Sequence, residues 1–229
     1  MLLECENLCA SYTGHEYVFQ NINVSLERGQ TLAVVGRNGA GKTTFVNAIM
    51  GLLDENCQLS GKIRACGIEI SQSDGAEMRN FRRRMVSLMP QDSAGSLNPL
   101  VKIGRQIKAA AVLSGKYKKP DKSLICGILS KMGFEEPEKI LELYPHQLSV
   151  GMAARCMLAM SLITKPSLLI LDEPTASLDS GLKNDIIDII TDFSEKSGCA
   201  VIVVTHDESV LRRLNNPVVL NMGDNNDKN

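Results

Sequence analysis

Thr31 to Met50 reads T-L-A-V-V-G-R-N-G-A-G-K-T-T-F-V-N-A-I-M, and this stretch decides the fold. Thr31–Val35 is a short apolar, β-branched run, the composition of a buried strand. Gly36–Thr43 then fits G-x-x-x-x-G-K-[ST], a loop built to hold phosphate. Apolar residues follow at helical spacing, at Phe45, Val46, Ile49 and Met50. Strand, glycine loop and helix, in that order, are the context that the motif requires.

The residue types follow from the chemistry. Gly36, Gly39 and Gly41 reach backbone angles closed to other residues, so successive N–H groups can turn inward on an anion. The helix that starts after the loop aims its positive end at the same point. Lys42 adds a point charge for the β- and γ-phosphates, and the Thr43 hydroxyl is placed to ligate Mg²⁺. Arg37, Asn38, Ala40 and Thr44 complete the candidate ATP-binding loop.

Composition bounds the rest. The chain has 229 residues, 22% of them charged, and a formal net charge of −1. That length suits one large domain, and that balance argues against wholesale nucleic-acid binding. No window holds 18 apolar residues in a row, so no bilayer span is expected. The start, M-L-L-E-C-E-N-L, is acidic and lacks a signal peptide's basic segment, which points to a cytoplasmic chain with at most a peripheral membrane role. The seven scattered cysteines read as reduced thiols in core or surface positions.

Strands are expected at 2–7 and 18–26, with Tyr12 in a loop between them, where an aromatic ring can stack on a base or simply fill the loop. Short strands follow at 60–63 and 67–70, then a helix over 74–84 whose Arg82-Arg83-Arg84 run reads as a solvated face. A buried strand covers 85–89 and ends at Pro90-Gln91. Residues 100–143 read as several amphipathic helices inserted between strands of one sheet, followed by a helix over 149–164. A buried strand at 168–171 ends in Asp172-Glu173. Acids at the carboxyl end of a buried parallel strand sit where ligands bind in open α/β sheets. Asp172 is the expected Mg²⁺ partner, and Glu173 the candidate base for an attacking water. A helix starts at Asp179, and another buried strand, 200–205, ends at His206, placed to reach a γ-phosphate. A last short strand is expected at 217–220, before a polar tail.

Taken together, these motifs resemble the ATP-binding subunit of an ABC transporter over nearly the whole chain. Gly36–Thr43 matches the P-loop, Gln91 the Q-loop, and L-S-V-G-M (Leu148–Met152) the signature. Leu168–Thr175 matches the Walker B segment, Ser177-Leu178-Asp179 the D-loop, and His206 the switch histidine. Tyr12 falls where the family keeps its base-stacking aromatic. The resemblance implies an α/β P-loop NTPase, an ABC-type nucleotide-binding domain over residues 1–229. It would carry an antiparallel β subdomain and an α-helical subdomain, the latter inserted at roughly 93–160. It implies ATP and Mg²⁺ as cofactors, with Thr43, Gln91 and Asp172 around the metal and Glu173 and His206 as catalytic residues. Ser149, Val150, Gly151 and Met152 would face the ATP of a second homologous ATPase subunit.

S-L-N-P within Gln91–Leu100, and Leu143–Met152 with Met152 where glutamine is usual, are similar to importers for oligopeptides, dipeptides and nickel. Those systems imply a heterodimer of ATPases, two membrane permeases, an extracytoplasmic substrate-binding protein, no nucleic acid, and a place on the cytoplasmic face of the inner membrane. The chain departs from the family at Val150, where the first signature glycine is usual, and at Ala153 and Ala154; its C-terminus is also short. A β-branched residue where backbone approaches phosphate implies a weakened partner site. Two further readings stay open: a soluble ABC-type ATPase outside transport, and a regulatory subunit that binds nucleotide but hydrolyses it weakly.

Overall fold

The computed structural model of the chain describes residues 1–12, 17–73, 75–176, 178 and 180–223. Ser177 and Asp179 of the expected D-loop, Asp74 and the tail after Gly223 lie outside the described residues.

Two sheets organise the chain. Strands β1 (Leu3–Tyr12), β2 (Tyr17–Leu26), β4 (Cys57–Ala65) and β5 (Ile68–Glu69) form an antiparallel sheet in the order β2-β1-β4-β5. Strands β3 (Thr31–Gly36), β6 (Val86–Met89), β7 (Leu168–Asp172), β8 (Ala200–Val204) and β9 (Val218–Met222) form a second sheet, ordered β6-β7-β8-β3-β9. Every pairing in the second sheet is parallel. Parallel strands need crossovers, and helices supply them. These are α1 (Lys42–Met50), α2 (Gly75–Arg84), α3 (Ile103–Leu113), α4 (Lys122–Lys131), α5 (Pro137–Glu142), α6 (Val150–Ile163), α7 (Ser180–Ser197) and α8 (Glu208–Arg213).

The continuous apolar runs of β3, β7 and β8 are explained by burial on both faces. Leu32, Val34, Leu168, Ile170, Ile202 and Val204 pack with α1, α2 and the antiparallel sheet. Their alternates Ala33, Leu169, Leu171, Val201 and Val203 pack with α3, α4, α6 and α7. Successive side chains of a strand point to opposite faces, so one tetrapeptide such as Leu168–Leu171 serves two cores. Phe45 of α1 meets Phe19 of β2 edge to face, ring centroids 6.1 Å apart, and ties the glycine-loop helix to the antiparallel sheet.

The segment between β6 and β7 carries α3, α4, α5 and α6. Helix α6 has almost no polar face: Ala153, Ala154, Cys156, Met157, Leu158, Ala159, Leu162 and Ile163 are all buried. It lies between the parallel sheet and the preceding helices, which is why it is apolar nearly all round. No helix among the described residues is long and apolar enough to cross a membrane. All seven cysteines are free, and burial pushes the Cys5, Cys156 and Cys199 thiols up to about 12.

Several expectations are corrected. Tyr12 is the last residue of β1, paired with Cys57, not a loop residue; the first strand runs on because β4 pairs with it to its end. The strand expected at 60–63 spans Cys57–Ala65 for the same reason. The one expected at 67–70 shrinks to Ile68–Glu69 and passes into a 3₁₀ turn, Ile70–Gln72. Helix α8 is absent from the sequence reading. The arginine run is more than a solvated face: Arg83 and Arg84 are exposed and Arg82 half-buried, and two of the three reach helix ends. Arg82 Nη1 donates to the carbonyls of Met50 (2.9 Å) and Gly51 (3.2 Å) at the end of α1. Arg83 Nε donates to the Leu113 carbonyl (2.5 Å) at the end of α3. Cations there satisfy carbonyls with no partner inside the helix and meet the negative dipole end.

Arg82→Ala should therefore lower the unfolding free energy by about 1.5 kcal/mol, the low end for hydrogen bonds to a charged group, because one of the two bonds is exposed. Urea unfolding of the two proteins checks this, and equal midpoints would contradict it.

Candidate functional site

Parallel pairing puts the carboxyl ends of β3, β6, β7 and β8 along one edge. The register makes them level: Asp172 pairs with Val204, and Val204 with Val34. The glycine loop leaves β3 at Gly36, Gln91 follows β6, Glu173 follows β7, and Thr205-His206 follows β8. Four segments far apart in sequence thus converge.

The loop is shaped by two tight approaches. A Cβ on Gly36, at φ +156°, would lie 2.1 Å from the Met222 carbonyl oxygen of β9. One on Gly41, at φ +86°, would lie 2.7 Å from Val18 Cγ1 of β2. No other residue fits either place. Gly41 is also the N-cap of α1, and its carbonyl accepts the Phe45 N–H at 2.8 Å. Lys42 Nζ donates to the carbonyls of Gly36 (2.8 Å) and Arg37 (3.1 Å), so its ammonium stands over the loop. Thr43 is exposed and Thr44 half-buried on the first turn of α1. Arg37, Asn38 and Gly39 are exposed at the loop's tip and Ala40 half-buried behind them.

Glu173 adopts the left-handed conformation, φ +49°, a strained state for a residue with a side chain. Pro174 behind it disfavours the right-handed helical alternative. Its N–H donates to the Val204 carbonyl at 2.9 Å, which fastens the turn to β8. The carboxyl is 9% exposed and faces β8: Oε1 lies 2.5 Å from His206 Nδ1, and Thr205 Oγ1 donates to Oε2 at 3.4 Å. The His206 ring is 67% exposed. A shielded carboxylate on an open imidazole can take a proton and hand it to solvent or a phosphate. Beside it, burial raises the Asp172 pKa, the neighbouring Glu173 raises it further, and Lys42 opposes both. A carboxylate held against its preference to stay neutral is ready for a cation. The Thr43 hydroxyl and Asp172 carboxyl are hard oxygen donors of the kind Mg²⁺ takes, and Gln91 stands exposed on the same edge.

The signature residues lie on a different element. Ser149 caps α6, its Oγ accepting the Met152 N–H at 3.2 Å. Val150 is 58% exposed on the first turn. A Cβ on Gly151 would stand 3.3 Å from Leu178 Cδ2, so the start of α6 rests against the buried Leu178. Tyr12 sits on the other sheet, half-buried at the end of β1. Arg155 turns away to the carbonyls of Met132 (3.2 Å) and Gly133 (3.3 Å), its guanidinium 4.3 Å from the Phe134 ring centroid.

Two participants are missing from the sequence reading. Thr205 is fully buried and supports both Glu173 and the Asp207 N–H, which it accepts at 3.0 Å. Asp207 caps α8. An acid followed by E-S-V-L-R-R is a helix-start signal that marks it in the sequence.

Asp172 links the stability of the fold to pH. Its raised pKa means that the ionised form is disfavoured in the fold relative to the unfolded chain. The fold therefore bears the full cost above the folded pKa and none below the unfolded one. In chelator and without nucleotide, Asp172→Asn should melt higher than wild type at pH 7, and the gap should close as pH falls through the carboxylate range. Thermal melts across that range check it; an equal or lower melting temperature at pH 7 would contradict it.

Comparison with known proteins shows the family. The ABC transporter family model matches residues 19–176, well over half of the chain. The oligopeptide transport ATP-binding protein OppD of Lactococcus lactis is 37% identical over 202 residues, covering 87% of this chain and 60% of that protein. The dipeptide transport ATP-binding protein DppD of Bacillus subtilis is 33% identical over 219 residues, covering 93% and 65%. The chain thus spans about 60% of the length of these curated relatives. Among solved structures, the dimeric bacterial ABC transporter cassette MJ0796 superposes with a TM-score of 0.83 at 25% identity, over 97% of this chain and 95% of that one. CbiO1 from Clostridium perfringens, part of the ABC transporter complex cbiONQ, gives 0.78 at 26%, over 96% and 84%. With its fold, its glycine loop and its paired acids at one sheet edge, the chain belongs to the ABC transporter family.

Proposed function

We propose that this chain is the ATP-hydrolysing subunit of a membrane importer for peptides, with nickel or metal complexes as the alternative cargo. The observation that carries the reading is the Glu173–His206 pair on the sheet edge that also bears the glycine loop. The loop amides and Lys42 would bind the phosphates, and Tyr12 would stack on the base. Thr43, Asp172 and Gln91 would hold Mg²⁺, which when bound neutralises phosphate charge. Glu173 would take the proton of the attacking water, and His206 would carry charge between that carboxylate and the γ-phosphate. The strained turn at Glu173 holds the carboxylate in place before substrate arrives, so little reorganisation is left for the reaction.

The importer reading rests on S-L-N-P after Gln91 and on the likeness to oligopeptide and dipeptide ATP-binding proteins. In it the chain works at the cytoplasmic membrane face with a second ATPase, two permeases and an extracytoplasmic binding protein. The exposed start of α6 supports a head-to-tail pairing, because Ser149 and the Gly151 amide form a helix N-terminus open to a partner's phosphate. Val150 adds an exposed branched side chain there, which would weaken that second site and suits a heterodimer.

Affinity purification of the tagged chain from detergent-solubilised native membranes should recover two permeases and a different ATPase; recovery alone, or with ribosomes, would overturn the importer reading. In the recovered complex, Glu173→Gln should lower ATP turnover by about 10²–10⁴-fold with nucleotide binding kept. Val150→Gly should raise turnover, and unchanged turnover would remove the claim of a weakened second site.

A further inference from the structure

His206 lies on a three-residue connection between β8 and α8, and both of its neighbours are fastened. Thr205 donates its N–H to the Val34 carbonyl of β3 at 3.1 Å. Asp207 uses its two carboxylate oxygens for different tasks. Oδ1 caps α8, accepting the Ser209 N–H (2.8 Å) and hydroxyl (2.6 Å). Oδ2 accepts Lys183 Nζ at 2.8 Å, from the first turn of α7. The lysine and the Ser209 bonds hold the Asp207 carboxyl well below the usual carboxylate range, so it is ionised whenever the pair forms.

The Lys183–Asp207 pair joins α7 to the turn that carries His206. About a quarter of each side chain is exposed, and a pair that open adds little stability. Its geometric role is an anchor. The turn is held to α8 by the Oδ1 cap and to the end of β8 by the Asp207 N–H, which donates to Thr205 Oγ1 at 3.0 Å. The bond from Lys183 to Oδ2 is what ties that same turn to α7.

We propose that Lys183 is a positioning residue: through Asp207 it fixes His206 against Glu173. The proposal rests on the ATP-hydrolysis reading. The test uses the complex recovered through the tagged chain. Lys183→Met should lower kcat for ATP by about tenfold while KM changes less than about twofold, because positioning acts on the reaction and not on the phosphate loop. Lys183→Arg, which keeps the cation, should recover kcat to within about threefold. Asp207→Asn should reproduce the Lys183→Met defect, and the double variant should be no slower than the slower single, as expected for two residues acting as one unit. Wild-type kcat in Lys183→Met would overturn the proposal. Loss of fluorescent ATP-analogue binding along with kcat in both Lys183→Met and Asp207→Asn would also overturn it, in favour of a purely structural pair. Wild-type turnover that Glu173→Gln leaves untouched would instead overturn the hydrolysis reading on which the proposal stands, without reference to Lys183.

Discussion

The structure depends on one constraint, the level parallel pairing of β7, β8 and β3. Parallel strands align their carboxyl ends, and the pairings Asp172–Val204 and Val204–Val34 set three loops at one height. A shift of one residue in β7 would turn Asp172 toward the opposite face and move every apolar side chain of Leu168–Leu171 into the wrong core. Burial on both faces makes that shift costly, so the hydrophobic cores on either side hold the edge that carries Asp172, Glu173 and His206 in register. Core packing and site geometry are here one requirement.

The site is arranged as a gradient of exposure. Glu173 is shielded and strained; His206 is open; Asp172 is half-buried and resists ionisation; the loop tip at Arg37–Gly39 stands in solvent. A shielded carboxylate keeps its hydrogen-bond partners in place, while open groups can meet a ligand that arrives from outside. The strain at Glu173 persists because its N–H bond to Val204 and the contacts to Thr205 and His206 over-determine it.

Helix ends do much of the long-range fastening. Arg82 and Arg83, adjacent on α2, reach the carboxyl ends of α1 and α3, one the glycine-loop helix and the other the first helix of the inserted segment. Arg155 closes the end of α4, and Asp207 the start of α8. Each is a charged side chain meeting backbone groups that the helix cannot satisfy itself. Such contacts are directional, so they orient the helical segment where apolar packing alone would leave it free to slide.

The sequence by itself determined the glycine loop, the buried strands and the acids at their ends. Each is a local rule: glycine reaches angles closed to other residues, a strand buried on both faces must be apolar throughout, and a helix after the loop follows from periodicity. The places of Gly36, Lys42, Asp172, Glu173 and His206 at the loop and at strand ends were legible on those grounds. Tertiary structure alone decided how long β1 and β4 are, because their ends are set by pairing with each other. It decided that Arg82 and Arg83 serve helix termini, since charge spacing along a helix does not say which carbonyls lie across from it. It decided, too, the Thr205 and Lys183–Asp207 contacts, whose partners lie 32 and 24 residues away in the chain. Periodicity records which face of an element is buried; it carries no record of what another element will place against a polar group, and that is settled only when the sheet closes.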